Sequence, residues 1–312
     1  MGYTVILDNA VEIKYTGVEF TISADPFNDK EFSWHTDLTL SHNKGTFNKI
    51  PTANRRQQQA GNFQNQLYQM IEGEKLGSFW GYTFAGVWQE DDVNAPFVDA
   101  NGQTNGKTNG EVYKVKPGNS KYVDVNKDGV YNDADQGIIG CGQPTFNWGW
   151  NNTFNYKNFD FSFFVVGFHG FDIYNATHQM GYNLIKSQQM AGVTPMRELL
   201  NRWTPTNTNT DIPGFVKGGT ENKDFFSTRF VENGSFIKMK SITLGYTLPE
   251  ATCRSLGINN KRVYASVQNP FHITKYSGLD PEATMGSPLV QGVDWGAYPI
   301  SRNYLIGLNF SF

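Results

Sequence analysis

The segment from Asp124 to Asp135 carries the residue spacing that points most clearly to chemistry. Oxygen-bearing side chains stand at positions 1, 3, 5, 9 and 12 of these twelve residues, and Gly129 stands at position 6, where such a loop turns sharply. Calcium prefers six to eight oxygen ligands. With one backbone carbonyl at position 7, the spacing predicts a calcium site formed by Asp124, Asn126, Asp128, Val130, Asn132 and Asp135.

The same segment departs from a calcium-sensing loop in two respects. Position 12 is Asp135 rather than the bidentate glutamate of a helix–loop–helix site, and no amphipathic helix pattern flanks the loop. Both departures favour a structural ion over a regulatory one. The alternative is a solvated turn rich in Asn and Asp that holds no metal, and the sequence leaves both interpretations open.

Motifs for catalysis do not occur in this sequence. The histidines form no metal-binding pair, and there is no nucleophile elbow, phosphate-binding loop or dinucleotide fingerprint. The acidic run 90–92 could supply the two carboxylates of a glycoside hydrolase. It lies in a polar stretch, however, and is better interpreted as a solvated surface. The chain is therefore predicted not to be an enzyme.

Composition narrows the class of protein. Aromatic residues make up 15% of the 312 residues and charged residues 18%, below the usual ~25%. The net charge of −3, without a basic block, argues against a nucleic-acid partner. Many aromatic residues with a low mean hydropathy are typical of a membrane β-barrel or of a secreted carbohydrate-binding β-sandwich. Cys141 and Cys253 could pair or remain free.

Strand-like alternation recurs along the chain. Apolar and polar residues alternate with a period of two, which places them on opposite faces of a β-strand, in the ranges 18–25, 31–40, 148–156, 159–165, 242–248, 263–267 and 304–312. Short turns alternate with long polar connections over 88–123, 170–228 and 270–300. This pattern predicts an all-β fold, part of an antiparallel transmembrane β-barrel of about ten strands with long extracellular loops.

Several segments together resemble a known family. They occur in the family's order and comprise the ranges 11–20, 74–82, 122–140, 144–149, 236–246, 263–271 and 276–282, followed by the terminal aromatic strand. The chain is similar to the C-terminal part of a SusC/RagA-type TonB-dependent outer-membrane transporter of the Bacteroidetes. One departure is Tyr15-Thr16-Gly17, where the family pattern has Asn-Lys-Gly.

The resemblance implies a location, a function and partners. Residues 1–312 would form the C-terminal part of the barrel in the cell outer membrane, with Phe312 as its carboxyl end and with the signal peptide and plug outside this chain. Partners would be outer-membrane lipid, a SusD-like surface lipoprotein, and TonB through the preceding part of the protein. The cargo would be an oligosaccharide or a peptide.

Loop aromatic residues are candidates for contact with that cargo. Flat apolar faces of sugars stack on aromatic rings, and the candidate residues are Trp80, Tyr82, Trp295 and Tyr298. Packing within the loops is the alternative role for each of them. Two alternative functions for the chain are a secreted, calcium-stabilised carbohydrate-binding β-sandwich and a calcium-dependent glycoside hydrolase.

Overall fold

Antiparallel strands dominate the computed structural model, which describes residues 11–50, 67–182, 196–215, 225–249, 260–284 and 291–311. The strands are β1 (Glu12–Asn28), β2 (Phe32–Lys49), β3 (Ser78–Tyr82), β4 (Phe84–Val87), β5 (Pro96–Val98), β6 (Thr104–Thr108), β7 (Ser120–Tyr122), β8 (Gln136–Cys141), β9 (Phe146–Tyr156), β10 (Phe159–His169), β11 (Asp172–Asn175), β12 (Val231–Asn233), β13 (Phe236–Thr247), β14 (Asn260–Thr274), β15 (Val293–Asp294) and β16 (Asn303–Ser311). The α-helices are α1 (Glu90–Asn94), α2 (Asn109–Tyr113) and α3 (Ala176–Tyr182). Within these ranges no helix has the length and apolar composition needed to cross a membrane.

Seven long strands form one antiparallel sheet in the order β1-β2-β9-β10-β13-β14-β16. The two predicted hairpins are confirmed, since Phe20 pairs with Leu40 and Phe161 pairs with Phe154. In the first hairpin, β1 continues through Pro26 to Asn28, beyond the predicted end of the strand. Its register shifts between Ala24 and Phe27. Proline lacks a backbone donor and is tolerated at such an irregularity, so the strand does not end there.

The main sheet has one apolar and one polar face. On the apolar face the strand registers align Val18, Phe20, Ile22, Leu38, Leu40, Trp150, Phe154, Phe161, Phe163, Ile242, Leu244, Val263, Val267, Ile306 and Leu308. On the polar face they align Glu19, Thr21, Asp37, Thr39, Asn151, Thr153, Asp160, Ser162, Ser241, Thr243, Arg262, Ser266 and Asn309. The apolar face is exposed along much of the sheet, with Val18 at 70% and Ile306 at 85% of full exposure.

The two ends of the main sheet differ. The connections 29–31, 157–158 and 248–259 join strands at one end, which we call the short-turn end. The connections 50–145, 170–235 and 275–302 join them at the opposite, long-loop end and contain the small sheets β3–β8, β4–β7, β5–β6 and β12–β11–β15. This arrangement agrees with the predicted barrel pattern of tight turns and long loops. Where about ten barrel strands were expected, the described main sheet has seven, with β1 and β16 at its edges.

A row of residues across the polar face fixes the alignment of four strands. Asp160 pairs with Gly245, Gly245 with Tyr264, and Tyr264 with Gly307. Arg262 extends over Gly245 to donate to Asp160 Oδ1 at 2.8 Å. A Cβ on Gly245 would lie 2.3 Å from that carboxylate, and one on Gly307 would lie 2.2 Å from the Tyr264 ring. A larger residue at either position would displace these side chains.

The largest buried cluster lies among the long connections rather than on the main sheet. Phe79 and Tyr174 have 0% exposure and pack with Leu67, Tyr68, Ala176, Phe230 and Val293. These residues come from β3, β11, β15 and the segments before and between them. The described parts of the long connections thus form a packed layer with its own core.

Candidate functional site

The acidic loop between β7 and β8 is folded around two of its own carboxylates. Asp135, 3% exposed, accepts hydrogen bonds from Val125 N at 2.8 Å and from Asn132 N at 3.0 Å. Asp124 Oδ2 accepts from Gly129 N and from the Tyr113 hydroxyl, both at 2.8 Å. The first and last positions of the predicted calcium site are therefore brought to the inner side of the loop.

The middle of the loop is exposed and also internally bonded. Asp128 accepts from Val130 N at 2.8 Å, from Asn126 Nδ2 at 2.9 Å and from Asn132 Nδ2 at 3.1 Å. The bond from the Val130 amide, followed by that from Asn126, lowers the pKa of Asp128. Gly129 adopts φ +81° at the turn, as its position in the sequence predicts.

One observation favours a cation in this loop, and another argues against it. Asp124 Oδ1 is buried and accepts no hydrogen bond within the described part of the chain, which leaves one carboxylate oxygen free inside the loop. In contrast, no three His, Cys, Asp or Glu side chains there are grouped as metal ligands, because backbone and side-chain donors occupy the other carboxylate oxygens. The chemistry of the donor set suits calcium, while internal hydrogen bonds engage the other oxygens of Asp124 and Asp135.

Three tyrosine rings pack together at the acidic loop. Tyr113 and Tyr131 stack with ring centroids 5.1 Å apart, and Tyr131 meets Tyr122 edge-on at 5.6 Å. Burial raises the pKa of Tyr131 to about 12. Burial, together with the hydrogen bond to Asp124, also raises the pKa of Tyr113. Both phenols are therefore protonated at neutral pH, so the Tyr113 hydroxyl is available to donate to Asp124.

The four aromatic residues predicted to contact cargo fall into two pairs. Tyr82 is 5% exposed and stacks on Phe225 at 4.4 Å, and Trp80, next but one to it in β3, is half-buried. Trp295 and Tyr298 are accessible, with 42% and 90% exposure. The structure thus brings no single platform of four rings together. Contact with cargo stays a prediction for all four, and the second pair is the more exposed one.

A buried tyrosine anchors the segment that carries Trp295. The Tyr276 hydroxyl donates to Asp294 Oδ2 at 2.5 Å. The other oxygen, Asp294 Oδ1, accepts from Gly296 N at 3.0 Å and from Ala297 N at 3.1 Å. Burial first, and then the bond to Asp294, raise the pKa of Tyr276. The turn after β15 is therefore held to the long-loop core, and the sequence alone gave no sign of this contact.

A second feature missed from sequence is a buried charge cluster at the long-loop end of β13. Lys238 Nζ lies 3.0 Å from Asp280 Oδ2 and 2.7 Å from Glu282 Oε2, and Lys240 also bonds to Glu282. Burial acts to raise the pKa of Asp280 and of Glu282, but the hydrogen bonds from the lysines outweigh it and the net pKa of each is lowered. The sequence did contain an indication of this cluster, because the charged Lys238 interrupts an otherwise apolar run from Phe236 to Met239.

Comparison with curated proteins finds relatives along the whole chain. TonB-dependent receptor P3 of Formosa agariphila is 32% identical over 320 residues, which cover 100% of this chain and 30% of that protein. TonB-dependent receptor P26 of the same organism is 28% identical with the same coverage. TonB-dependent receptor SusC of Bacteroides thetaiotaomicron is 27% identical over 97% of this chain and 27% of its own length. The chain thus spans about 30% of the relatives it matches. No family model matches.

Comparison with solved structures gives the fold. A chain in the structure of the RagAB peptide transporter superposes with a TM-score of 0.70 at 21% identity, covering 97% of this chain and 30% of that one. The RagAB peptide importer in its open-open state gives a TM-score of 0.69 at 20% identity. The long, two-faced sheet therefore has the fold of a transporter barrel wall, and the β-sandwich alternative is not supported.

Proposed function

Because this chain is a member of the TonB-dependent receptor family, we propose that it forms part of the wall and surface loops of a transport barrel in the outer membrane. The main sheet supports this proposal most directly. Its apolar face suits lipid and its polar face suits a water-filled interior. The packed layer at the long-loop end would then face the outside of the cell.

The membrane location is tested by fractionating cells that express the chain. We expect the chain in the outer-membrane fraction, resistant to extraction with alkaline carbonate, because Val18, Phe20 and Ile306 would otherwise stay exposed to water. The matched control replaces these three residues by serine, which preserves the polar face and should shift the chain toward the extractable fraction. Recovery of the unmodified chain as a soluble monomer without detergent would contradict the proposal.

The cargo and partners are proposed for the whole transporter, of which the chain spans a part. The whole transporter would import peptides or oligosaccharides with a SusD-like surface lipoprotein, driven through TonB. The likeness in fold to the RagAB peptide importer supports the peptide alternative. Trp295 and Tyr298 are the residues proposed to contact cargo, because both are exposed and the turn that carries them is anchored by Asp294. This role is one of binding and requires no catalytic group.

A structural calcium ion is proposed for the acidic loop. Asp124, Asn126, Asp128, Asn132 and Asp135 would hold it with the Val130 carbonyl, and the free Asp124 Oδ1 supports this assignment. When bound, the ion would supply positive charge that ties the two ends of the loop together. The loop's own hydrogen bonds would need to rearrange in part, which favours weak binding over tight binding.

Calcium titration of the detergent-solubilised chain tests this assignment. At a calcium concentration about 100 times the dissociation constant, binding should stabilise the folded chain by about 2.7 kcal/mol. We expect a rise in the thermal midpoint that D124N abolishes. D91N is the matched control, because Asp91 is an exposed acid outside the loop and its loss should leave the rise unchanged. No calorimetric heat at millimolar calcium would contradict the proposal.

A further inference from the structure

A group of lysines occupies one corner of the apolar face, at the long-loop end of the sheet. Along β2 this face runs from Leu38 and Leu40 to His42, Lys44 and Thr46, since every second residue of a strand points to the same side. The face thus changes from apolar to basic within a few residues. The change occurs where the strand leaves the apolar region and meets the long connections.

Strand pairing brings two further lysines to this corner. Lys14 of β1 pairs with Thr46, and Thr46 pairs on its other side with Lys75 in an isolated bridge. Directly paired residues of antiparallel strands point to the same face. Lys14, Lys44 and Lys75, which we call the basic corner, therefore surround Thr46 on the apolar side of the sheet.

The basic corner borders a cavity of about 190 Å³. His42, Lys44, Lys75 and Gln143 contribute to its lining, and His42 Nδ1 lies 2.7 Å from the Thr145 carbonyl oxygen. The nitrogen at that distance is a donor to the carbonyl, which fixes the ring at the edge of the cavity. The cavity is large enough for a phosphate-sized group and has positive charge on two sides.

Among the described residues, these lysines have no ion-pair partner. Across the ranges that the structure describes, no carboxylate lies within ion-pair distance of Lys14, Lys44 or Lys75. The nearby Glu12 instead accepts a hydrogen bond from Asn48 at 2.6 Å. At the short-turn end, by contrast, Lys157 pairs with Glu31 at 3.6 Å. In the described part of the chain, the three lysines of the basic corner are therefore not held in ion pairs.

We propose that the basic corner binds the phosphorylated headgroups of lipids in the membrane leaflet at the long-loop end. The inference rests on the proposed function, which places the apolar face in the hydrocarbon layer. The residues just beyond Leu40 then lie at headgroup depth. Lysines at that depth gain by pairing with lipid phosphate, and their stems can lie along the apolar surface.

The test measures lipid bound to the purified chain in mixed detergent micelles. Wild type is compared with the triple variant K14Q/K44Q/K75Q and with a control triple, K30Q/K107Q/K275Q, whose side chains are also exposed and carry the same charge change. The probes are a diphosphorylated glucosamine lipid, phosphatidylcholine and inorganic phosphate. We expect wild type and the control to retain the diphosphorylated lipid about tenfold better than the basic-corner variant.

The outcomes separate this inference from the proposed function. Equal retention by all three proteins would overturn the headgroup assignment. Displacement of the lipid by inorganic phosphate at matched phosphate concentration would also overturn it, because the site would then bind small anions. Entry of wild type into vesicles of phosphatidylcholine, with or without the diphosphorylated lipid, tests the barrel itself. Failure to enter either would contradict the proposed function and this inference together.

Discussion

Replacing Lys238 by methionine is expected to lower the free energy of unfolding by about 3–5 kcal/mol, the usual cost of removing one partner from a buried ion pair. The side chains of Lys238 and Asp280 are only 2% and 3% exposed. Without the ammonium group, the Asp280 carboxylate would stay buried with a charge that its remaining donors, Glu282 N at 3.0 Å and Ile300 N at 3.3 Å, compensate only in part.

Two further variants make this result specific. Lys240 also bonds to Glu282, but its side chain is 27% exposed, so K240M should cost about 1 kcal/mol or less. The double variant K238M/D280L removes both buried charges and should recover part of the lost stability. Thermal or urea unfolding in one detergent measures all three proteins. A K238M variant as stable as K240M would contradict the role assigned to Lys238.

The same cluster predicts how stability depends on pH. The folded-state pKa values of Asp280 and Glu282 lie below their ordinary values. Their contribution to stability is therefore complete above the unfolded pKa values of about 4, and it is lost as pH falls through the lower folded values. In wild type we expect this contribution to be constant near neutral pH and to fall below about pH 4. In K238M burial then raises the pKa of Asp280, so the stability gap should begin to narrow at a pH above the ordinary value of about 4.

The second large effect is expected at Phe79, where alanine should cost about 3–5 kcal/mol. Phe79 has 0% exposure and makes edge-on contacts with Tyr68 at 5.6 Å and with Tyr174 at 6.3 Å. Val293 belongs to the same buried cluster, so the cavity would loosen the turn that carries Trp295. The expected readout is faster proteolysis of the long connections in F79A.

Leu200 provides the control for this prediction. It is a large apolar residue on a long connection, but it is 79% exposed. L200A should change stability by no more than about 0.5 kcal/mol and leave the rate of proteolysis unchanged. If F79A and L200A were cleaved at the same rate, the cluster around Phe79 would not be what orders the loops.

The strands of the main sheet could be predicted because the features that indicate them lie within short stretches of sequence. Alternation is visible within one strand, and the two-residue connection 157–158 fixes the pairing of Phe161 with Phe154. The long-loop layer was not predictable in the same way. Lys238 meets Asp280 across 42 positions of sequence, and no period or turn signal links such distant residues.

For the acidic loop, the sequence predicted which residues lie close together but not how their carboxylates are oriented. Its residues are contiguous, so their proximity followed from the sequence. The direction of each carboxylate did not, because Asp124 and Asp135 can accept from backbone amides as readily as they can bind an ion. Likewise, the aromatic character of Tyr82 and Tyr298 was visible, but their 5% and 90% exposure depends on non-local packing.

The row Asp160, Gly245, Tyr264 and Gly307 bears on how the strands find their partners during assembly. A one-residue slip would send side chains to the wrong face. A one-residue slip of β13 would place Leu244 or Tyr246 where Gly245 lies, in the space that the Arg262 and Asp160 side chains fill. Misaligned pairings of β10, β13, β14 and β16 would thus displace the Arg262–Asp160 pair over Gly245 and the Tyr264 ring over Gly307. The row therefore favours the native register of these four strands over a slipped one.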